Sequence, residues 1–273
     1  MLLLVGCAHG PVDGSVLLES LTKLERNPSL DPATLEDVDV LGLNEEAKRF
    51  IKEQVRGIDE PYEKVRELRR AVFDSDRFNF IVDDEQTYTA TETFEAGGGN
   101  CLSLANFFVA ATRLLGIDAN YQEVQRRGLN SGTVEDFRVI ERHINVSGAL
   151  TWQGRQARYV LDYLSVPEED FKWSTVISDK RALAHYYNNL AMDHFKNHDI
   201  ETTLQYLKKA ILTDAGVDFV WSNLGVVYSR RGDWEAAEFA YQQALNLNPD
   251  QTSALKNLPA LYKKWGKSEK LSQ

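Results

Sequence analysis

Cys101, His143 and Asp162 are the residues whose types together could do chemistry, and that chemistry is acyl transfer through a thiol. A cysteine nucleophile needs a base to take its proton, and an imidazole base needs a carboxylate to fix its tautomer and support its charge. In chain order the three read nucleophile, base and orienting acid. Singly each has an ordinary explanation: a buried small hydrophobe for Cys101, a satisfied strand histidine for His143, and a carboxylate paired with Arg158 or a turn amide for Asp162. It is the combination that points to a site.

The elements that must position them can be read around each residue. Gly97-Gly98-Gly99-Asn100 precedes the cysteine, and residues 102–116 are mostly good helix formers without proline. Asn100 can cap that helix, and Gly116 can end it. Steps of three and four from Cys101 meet Leu104, Ala105, Phe108, Ala111, Thr112 and Leu115, so the cysteine heads an inward-facing apolar stripe. At a helix N-terminus the dipole favours a thiolate, and the glycines let backbone approach closely and leave room for a substrate. His143 lies in a segment where Ile140, Ile144 and Val146 alternate onto one face and the histidine onto the other. Asp162 sits in the apolar strand 158–164, and Gln153-Gly154 between the two segments is a turn signal. A hairpin there can set Asp162 opposite His143, with Cβ atoms roughly 5 Å apart. Ahead of the glycines come helices at 44–56 and 61–73, an extended stretch at 77–82 and an acidic, threonine-rich loop at 83–94. A strand at 120–125 follows the cysteine helix, so residues 41–170 form an α+β domain.

Gly-Asn-Cys-Leu-Ser-Leu-Ala at 99–105, Thr89-Ala90-Thr91-Glu92 ahead of it, Arg-His-Ile-Asn-Val at 142–146 and Tyr-Val-Leu-Asp-Tyr at 159–163 resemble the transglutaminase-like superfamily over residues 44–170. The resemblance implies a papain-like core in which a cysteine caps the central helix and the His and Asp come from the following sheet. Those roles fall on Cys101, His143 and Asp162. The superfamily holds cross-linking enzymes, peptidases, amidases and inactive relatives. For the oxyanion the Cys101 N–H is the expected donor, with Gln86 and Tyr88 as side-chain candidates.

From residue 182 onward the chain reads as helix throughout. Trp221, Leu224, Gly225, Tyr228, Gly232, Ala237, Tyr241, Ala244 and Pro249 resemble the tetratricopeptide pattern. Tyr187, Leu190, Ala191 and Ala210 recur one 34-residue period earlier, and Leu255, Leu258, Tyr262 and Gly266 one period later. This gives an all-α repeat domain, 182–273, with units 184–217, 218–251 and a partial 252–273, joined to the first domain through a linker at 171–179. Its expected work is to present a protein or peptide on a concave face, where Asn188, Asn189 and Asn223 carry amides able to bond an extended backbone. His194 and His198, four apart, could be a metal pair, but their repeat positions match the packing and turn places of Tyr228 and Gly232. No metal or cofactor is therefore expected.

Met1-Leu2-Leu3-Leu4-Val5-Gly6-Cys7 resembles the lipobox of bacterial lipoproteins, which makes Cys7 a lipidation site and 1–7 a signal remnant, with 8–40 as tether and lead-in. No Asp follows Cys7, so the implied location is the periplasmic face of the envelope, anchored to the outer membrane. A net charge of −10 speaks against nucleic acid as a partner. The expectation is a membrane-anchored thiol hydrolase or acyl transferase acting on a protein or peptide brought by the repeats. The alternative is an inactive repeat adaptor.

Overall fold

The computed structural model describes residues 13–73, 78, 80–126, 133–134, 137–138, 142–163, 171–267 and 269–270. The chain divides into two compact units, one made of Glu36–Asn130 with Glu141–Tyr186, the other of Met1–Leu35, Ser131–Ile140 and Tyr187–Gln273. Among the described residues, no helix is long and apolar enough to cross a membrane. Cys7 lies outside the described residues.

The second unit opens the chain with α1, Gly14–Thr22, capped by Asp13. The first unit follows with α2 (Glu45–Gln54), α3 (Pro61–Phe73), β1 (Ile81–Val82), α4 (Ala90–Ala96), β2 (Gly98–Gly99) and α5 (Cys101–Leu114). Pro61 at the first position suits α3 because a helix's first N–H has no partner within it. Helix α4 corrects the loop expected at 83–94. Its start carries a complete capping box, the Thr89 hydroxyl accepting from Glu92 N and the Glu92 carboxylate from Thr89 N.

Helix α5 is the centre of this unit, buried on every side from Leu102 to Thr112 rather than along one stripe. Phe107 stacks on Phe78 and Phe94, with ring centroids 5.3 and 6.2 Å away. Its polar residues are satisfied internally: Asn106 donates to Tyr88 O at 2.8 Å and accepts from Tyr121 Oη at 2.7 Å. A helix apolar all round can exist only as a core element, and its buried amides must find partners.

The sheet of this unit has four antiparallel strands in the order β7-β6-β3-β8, where β3 is Asn120–Arg126, β6 His143–Trp152, β7 Arg155–Leu161 and β8 Phe171–Ile177. Residues 171–177, expected within a linker, are therefore an edge strand, and Phe-Lys-Trp-Ser-Thr-Val-Ile has the β-branched and aromatic content for it. A two-residue turn joins β6 to β7 with positive φ at both Gln153 (50°) and Gly154 (74°), as a type I′ hairpin turn requires.

The second unit holds the short strands β4 (Thr133–Val134) and β5 (Phe137–Arg138) and the helical repeats. Helix α6 (Asp179–Lys196) enters it at Tyr187 and pairs with α7 (Ile200–Thr213). Helices α8 (Asp218–Arg231) and α9 (Trp234–Leu247) form the next pair, and α10 (Thr252–Trp265) stands last. A Cβ on Gly225 would lie 2.6 Å from the Tyr241 ring, so the small residue marks the place where paired helices touch. Trp221 and Tyr241 are fully buried.

Candidate active site

Cys101 is the first residue of α5, half-buried at its tip. Asn100 Oδ1 accepts from Leu102 N and Ser103 N at 3.1 and 3.0 Å, which holds the first turn and leaves the thiol at the helix mouth. The loop before α4 is tied to that mouth. Asn100 N donates to Gln86 O at 3.0 Å, Asn100 Nδ2 to Thr87 Oγ1 at 2.5 Å, and Tyr88 N to Ser103 Oγ at 2.8 Å. Gln86 and Tyr88, the side-chain oxyanion candidates, thus have their backbone fixed beside Cys101, the first exposed and the second half-buried. The glycine run serves close backbone approach. Gly98 and Gly99 pair in parallel with Ile81 and Val82, and Gly99 has φ +137° with no room for a Cβ, which would stand 2.6 Å from Ser103 Cβ.

His143 is the first residue of β6, and Asp162 follows the last residue of β7. The hairpin register pairs Val146 with Leu161, so one step further Asp162 faces Asn145. This corrects the register expected from the turn signal, in which Asp162 faced His143. The turn lies nearer Asp162 than that register requires, and the slip is two residues along β6. Because side chains alternate with period two, such a slip keeps His143 and Asp162 on one side of the sheet, as diagonal neighbours. His143 Nε2 is 2.7 Å from Asp162 Oδ2, and the Cys101 side chain lies near enough to the imidazole to help raise its pKa. The structure brings all three together.

Both side chains of the pair are nearly closed to solvent, His143 at 9% and Asp162 at 8% exposure. Burial pulls the His143 imidazolium down, but hydrogen bonds to Asp162 and Cys101, and the charges of both, carry it from 6.5 up to about 9. An imidazolium that persists at neutral pH beside a sulfur is the partner a thiolate needs, and it can deliver a proton to a leaving group. Two residues around the pair were not singled out in the sequence. Asn145 Nδ2 donates to Asp162 Oδ2 at 3.2 Å, and the Tyr163 ring stands edge-on to His143 with centroids 5.6 Å apart. The signal for Asn145 was its place two residues beyond His143, on the same face of one strand.

On the other side of β3 and β6, Glu123 is buried at 2% side-chain exposure and pairs with Arg142 and, at 3.1 Å, with Arg181. Burial pushes its carboxyl up, but His185 and Arg142 outweigh that and hold it far below the usual carboxylate range. His185 moves the opposite way, its imidazolium lowered by complete burial more than Glu123 raises it. This network fastens β3 to β6 and to the first turns of α6 around the strand that carries His143.

The repeat residues expected to meet a peptide are placed differently. Asn223 Nδ2 donates to Asn188 Oδ1 at 2.9 Å, and both side chains are buried between helices, so neither presents its amide to a ligand. Asn189 is half-buried. His194 Nδ1 lies 3.3 Å from Asp199 and stacks on Tyr206, while His198 Nδ1 is 3.0 Å from Arg230.

A cysteine at the first position of a buried central helix, with a His–Asp pair from the adjoining antiparallel sheet, is the layout of a papain-like core. The transglutaminase-like superfamily model matches residues 48–194, more than half the chain, and the chain belongs to that superfamily. A tetratricopeptide repeat model matches residues 219–251, a repeat whose work is protein–protein interaction. The chain is also similar to the photosystem I assembly protein Ycf3 of Prochlorococcus marinus strain NATL1A, 34% identical over 92 residues that make up 33% of this chain and 52% of that protein. It is 30% identical to Ycf3 of strain MIT 9301 over 93 residues, 33% of this chain and 53% of the relative. With Ycf3 of Synechococcus sp. strain CC9605 it shares 42% identity over 45 residues, 16% and 26% of the two chains. The chain spans about half the length of the first of these relatives.

Proposed function

We propose that the protein is a thiol-dependent hydrolase or acyl transferase, of peptidase, amidase or transglutaminase type, that acts on a protein or peptide brought to it by its repeats. The single observation that carries this is the His143 Nε2 to Asp162 Oδ2 contact at 2.7 Å with the Cys101 side chain on the same imidazole. In the reaction the Cys101 sulfur, its proton already carried by His143, attacks the substrate carbonyl. The tetrahedral oxyanion is received by the Cys101 N–H at the α5 tip, aided by Gln86 from the fastened loop. The same proton passes from His143 to the leaving amine, and a thioester remains on Cys101. Water or a second amine, deprotonated by His143, attacks the thioester and frees the sulfur. Asp162 orients the imidazole throughout, and Asn145 orients Asp162.

The lipobox-like run ending in Cys7 supports a membrane location for this chemistry, at the periplasmic face of a bacterial envelope, and the residues after Cys7 support the outer membrane. A Cys7→Ser chain with its export signal retained is then recovered in the soluble fraction, and a wild-type chain found unlipidated in the cytosol would end that part of the proposal.

The decisive test of the chemistry is a thiol-directed acylating probe applied to native and denatured protein. Native Cys101 is expected to be acylated far faster than the denatured thiol, and His143→Ala to remove the difference. Equal rates in the native and denatured states would make the domain an inactive scaffold and leave the repeats as the working part.

A further inference from the structure

Residues 22–35 lie along the repeats in a way that the rest of the second unit does not share. None of them is buried as a residue, and Leu30 is 49% exposed, yet the Glu25 carboxylate is 1% exposed. That carboxylate accepts from Lys208 Nζ, from Tyr228 Oη and from Ser29 N at 3.0 Å, and Arg231 Nη2 stands 3.8 Å away. Burial pushes the Glu25 carboxyl up, but Lys208 and Tyr228 outweigh it, so the group is an anion in its pocket. The other contacts are mostly to main chain. Arg231 Nη2 donates to Asn27 O at 3.1 Å, Gln205 Nε2 to Asp31 O at 2.9 Å, and Lys209 Nζ to Leu35 O at 3.1 Å; Asp233 Oδ1 accepts from Arg26 N at 3.3 Å. Gln205 Nε2 also reaches Thr34 Oγ1 at 2.7 Å. Pro28 keeps the segment from continuing α1 as a helix, and Pro32 opens a single 3-10 turn, Pro32–Thr34, capped by Asp31.

One buried charged anchor with side-chain-to-backbone bonds along an exposed strap is how a protein surface holds a short peptide of another chain. Backbone contacts carry no sequence preference, and the anchor pocket sets the specificity. By contrast α1, which precedes the strap, buries Leu18 and Leu21 and belongs to the helical core.

We infer that the face formed by Gln205, Lys208, Tyr228 and Arg231 is the peptide-binding surface of the repeats, that it takes a turn-rich, non-α-helical segment with a buried glutamate followed four residues later by serine, and that residues 25–35 occupy it in cis until such a partner displaces them. This names the recruiting face for the function proposed above and rests on the repeats being the recruiting module. The face lies on α7 and the end of α8, not on the surface of Asn188 and Asn223.

The test uses the full chain and a fluorescein-labelled synthetic peptide of residues 23–35, read by anisotropy. A Glu25→Ala chain, its strap unanchored, is expected to bind the peptide at least ~10-fold more tightly than wild type, a difference of about 1.4 kcal/mol. The same peptide carrying Glu25→Ala should not bind. As a second measurement on the wild-type chain, excess unlabelled peptide should speed hydrogen exchange at the strap amides of Arg26 and Ser29 while α7 and α8 stay protected. A folded Glu25→Ala chain that binds no better than wild type would overturn the inference. So would loss of helical circular dichroism on that substitution, which makes the strap part of the fold. Neither readout involves Cys101, so failure here leaves the thiol chemistry standing, and failure of the acylating probe leaves this surface standing.

Discussion

Replacing Asp162 by Asn keeps the shape and one acceptor of the side chain and removes its charge. In the native protein burial alone would lower the His143 imidazolium; Asp162 and Cys101 reverse that and lift it from 6.5 to about 9. A rise of that size corresponds to on the order of 3 kcal/mol of preference for the charged ring in the folded state. Because the folded value is raised, this stability is present in full below about pH 6.5 and is lost as pH rises through about 9. Without the Asp162 charge the burial effect is less opposed, so the His143 midpoint should fall by at least ~1 unit. The alkaline loss of stability should then shrink and be complete at lower pH. The midpoint is read from the His143 ring resonances in a heteronuclear titration, and the stability from urea unfolding followed by circular dichroism between pH 6 and 10. A wild-type His143 that titrates near 6.5, or an Asp162→Asn midpoint equal to that of wild type, would refute the claim that the carboxylate holds the imidazole charged.

Asn145→Ala removes the amide that donates to Asp162 at 3.2 Å; kcat toward a small acyl substrate should fall roughly 10-fold with KM little changed, as expected of a group that orients the base without touching substrate. Gly99→Ala sets a Cβ 2.6 Å from Ser103 Cβ at φ +137°, so thermal unfolding should show a loss of about 2 kcal/mol or more. Thr89→Ala opens the capping box of α4 and should cost about 1 kcal/mol in the same assay.

The parts of the site legible in the sequence were those set by local chemistry. Asn100 before Cys101 reads as an N-cap because its side chain reaches amides two and three residues on, whatever the rest of the protein does. Helix α4 was legible in the same way, since Thr89 and Glu92 have the capping-box spacing, but the threonines and acidic residues around it suggested a loop. The burial of α5 on all sides and the pairing of residues 171–177 with β3 depend on partners far away in the chain, and no local pattern distinguishes a linker of seven residues from an edge strand until that partner is known. The same limit applies to Asn188 and Asn223. Repeat spacing puts Asn189, not Asn188, at the place of Asn223, and Asn188 at that of Ser222; adjacent places on stacked helices can face each other as readily as they face a ligand.

The register of β6 and β7 shows why His143 and Asp162 could be expected on one face of the sheet from an incorrect alignment. The turn residues Gln153 and Gly154 limit the hairpin to a few registers, and a slip by one residue would have turned Asp162 away from His143 to the other face of the sheet. A slip by two preserves the face and exchanges only the direct neighbour. Asn145 thereby stands opposite Asp162, and His143 meets the carboxylate diagonally, with a side chain long enough to close to 2.7 Å. The diagonal has a consequence for orientation. A carboxylate approaching along the strand from the turn side takes Nε2, and the amide opposite stops the carboxylate from turning away. Moving the turn by a two-residue insertion before Gln153 would keep both residues on their face, set Asp162 opposite Ser147 and lengthen that diagonal. The resulting chain should fold, retain Cys101 at the head of α5, and lose acylation by the probe. Insertion of two residues with acylation undiminished would mean that the Asp162 contact is not what sets the imidazole.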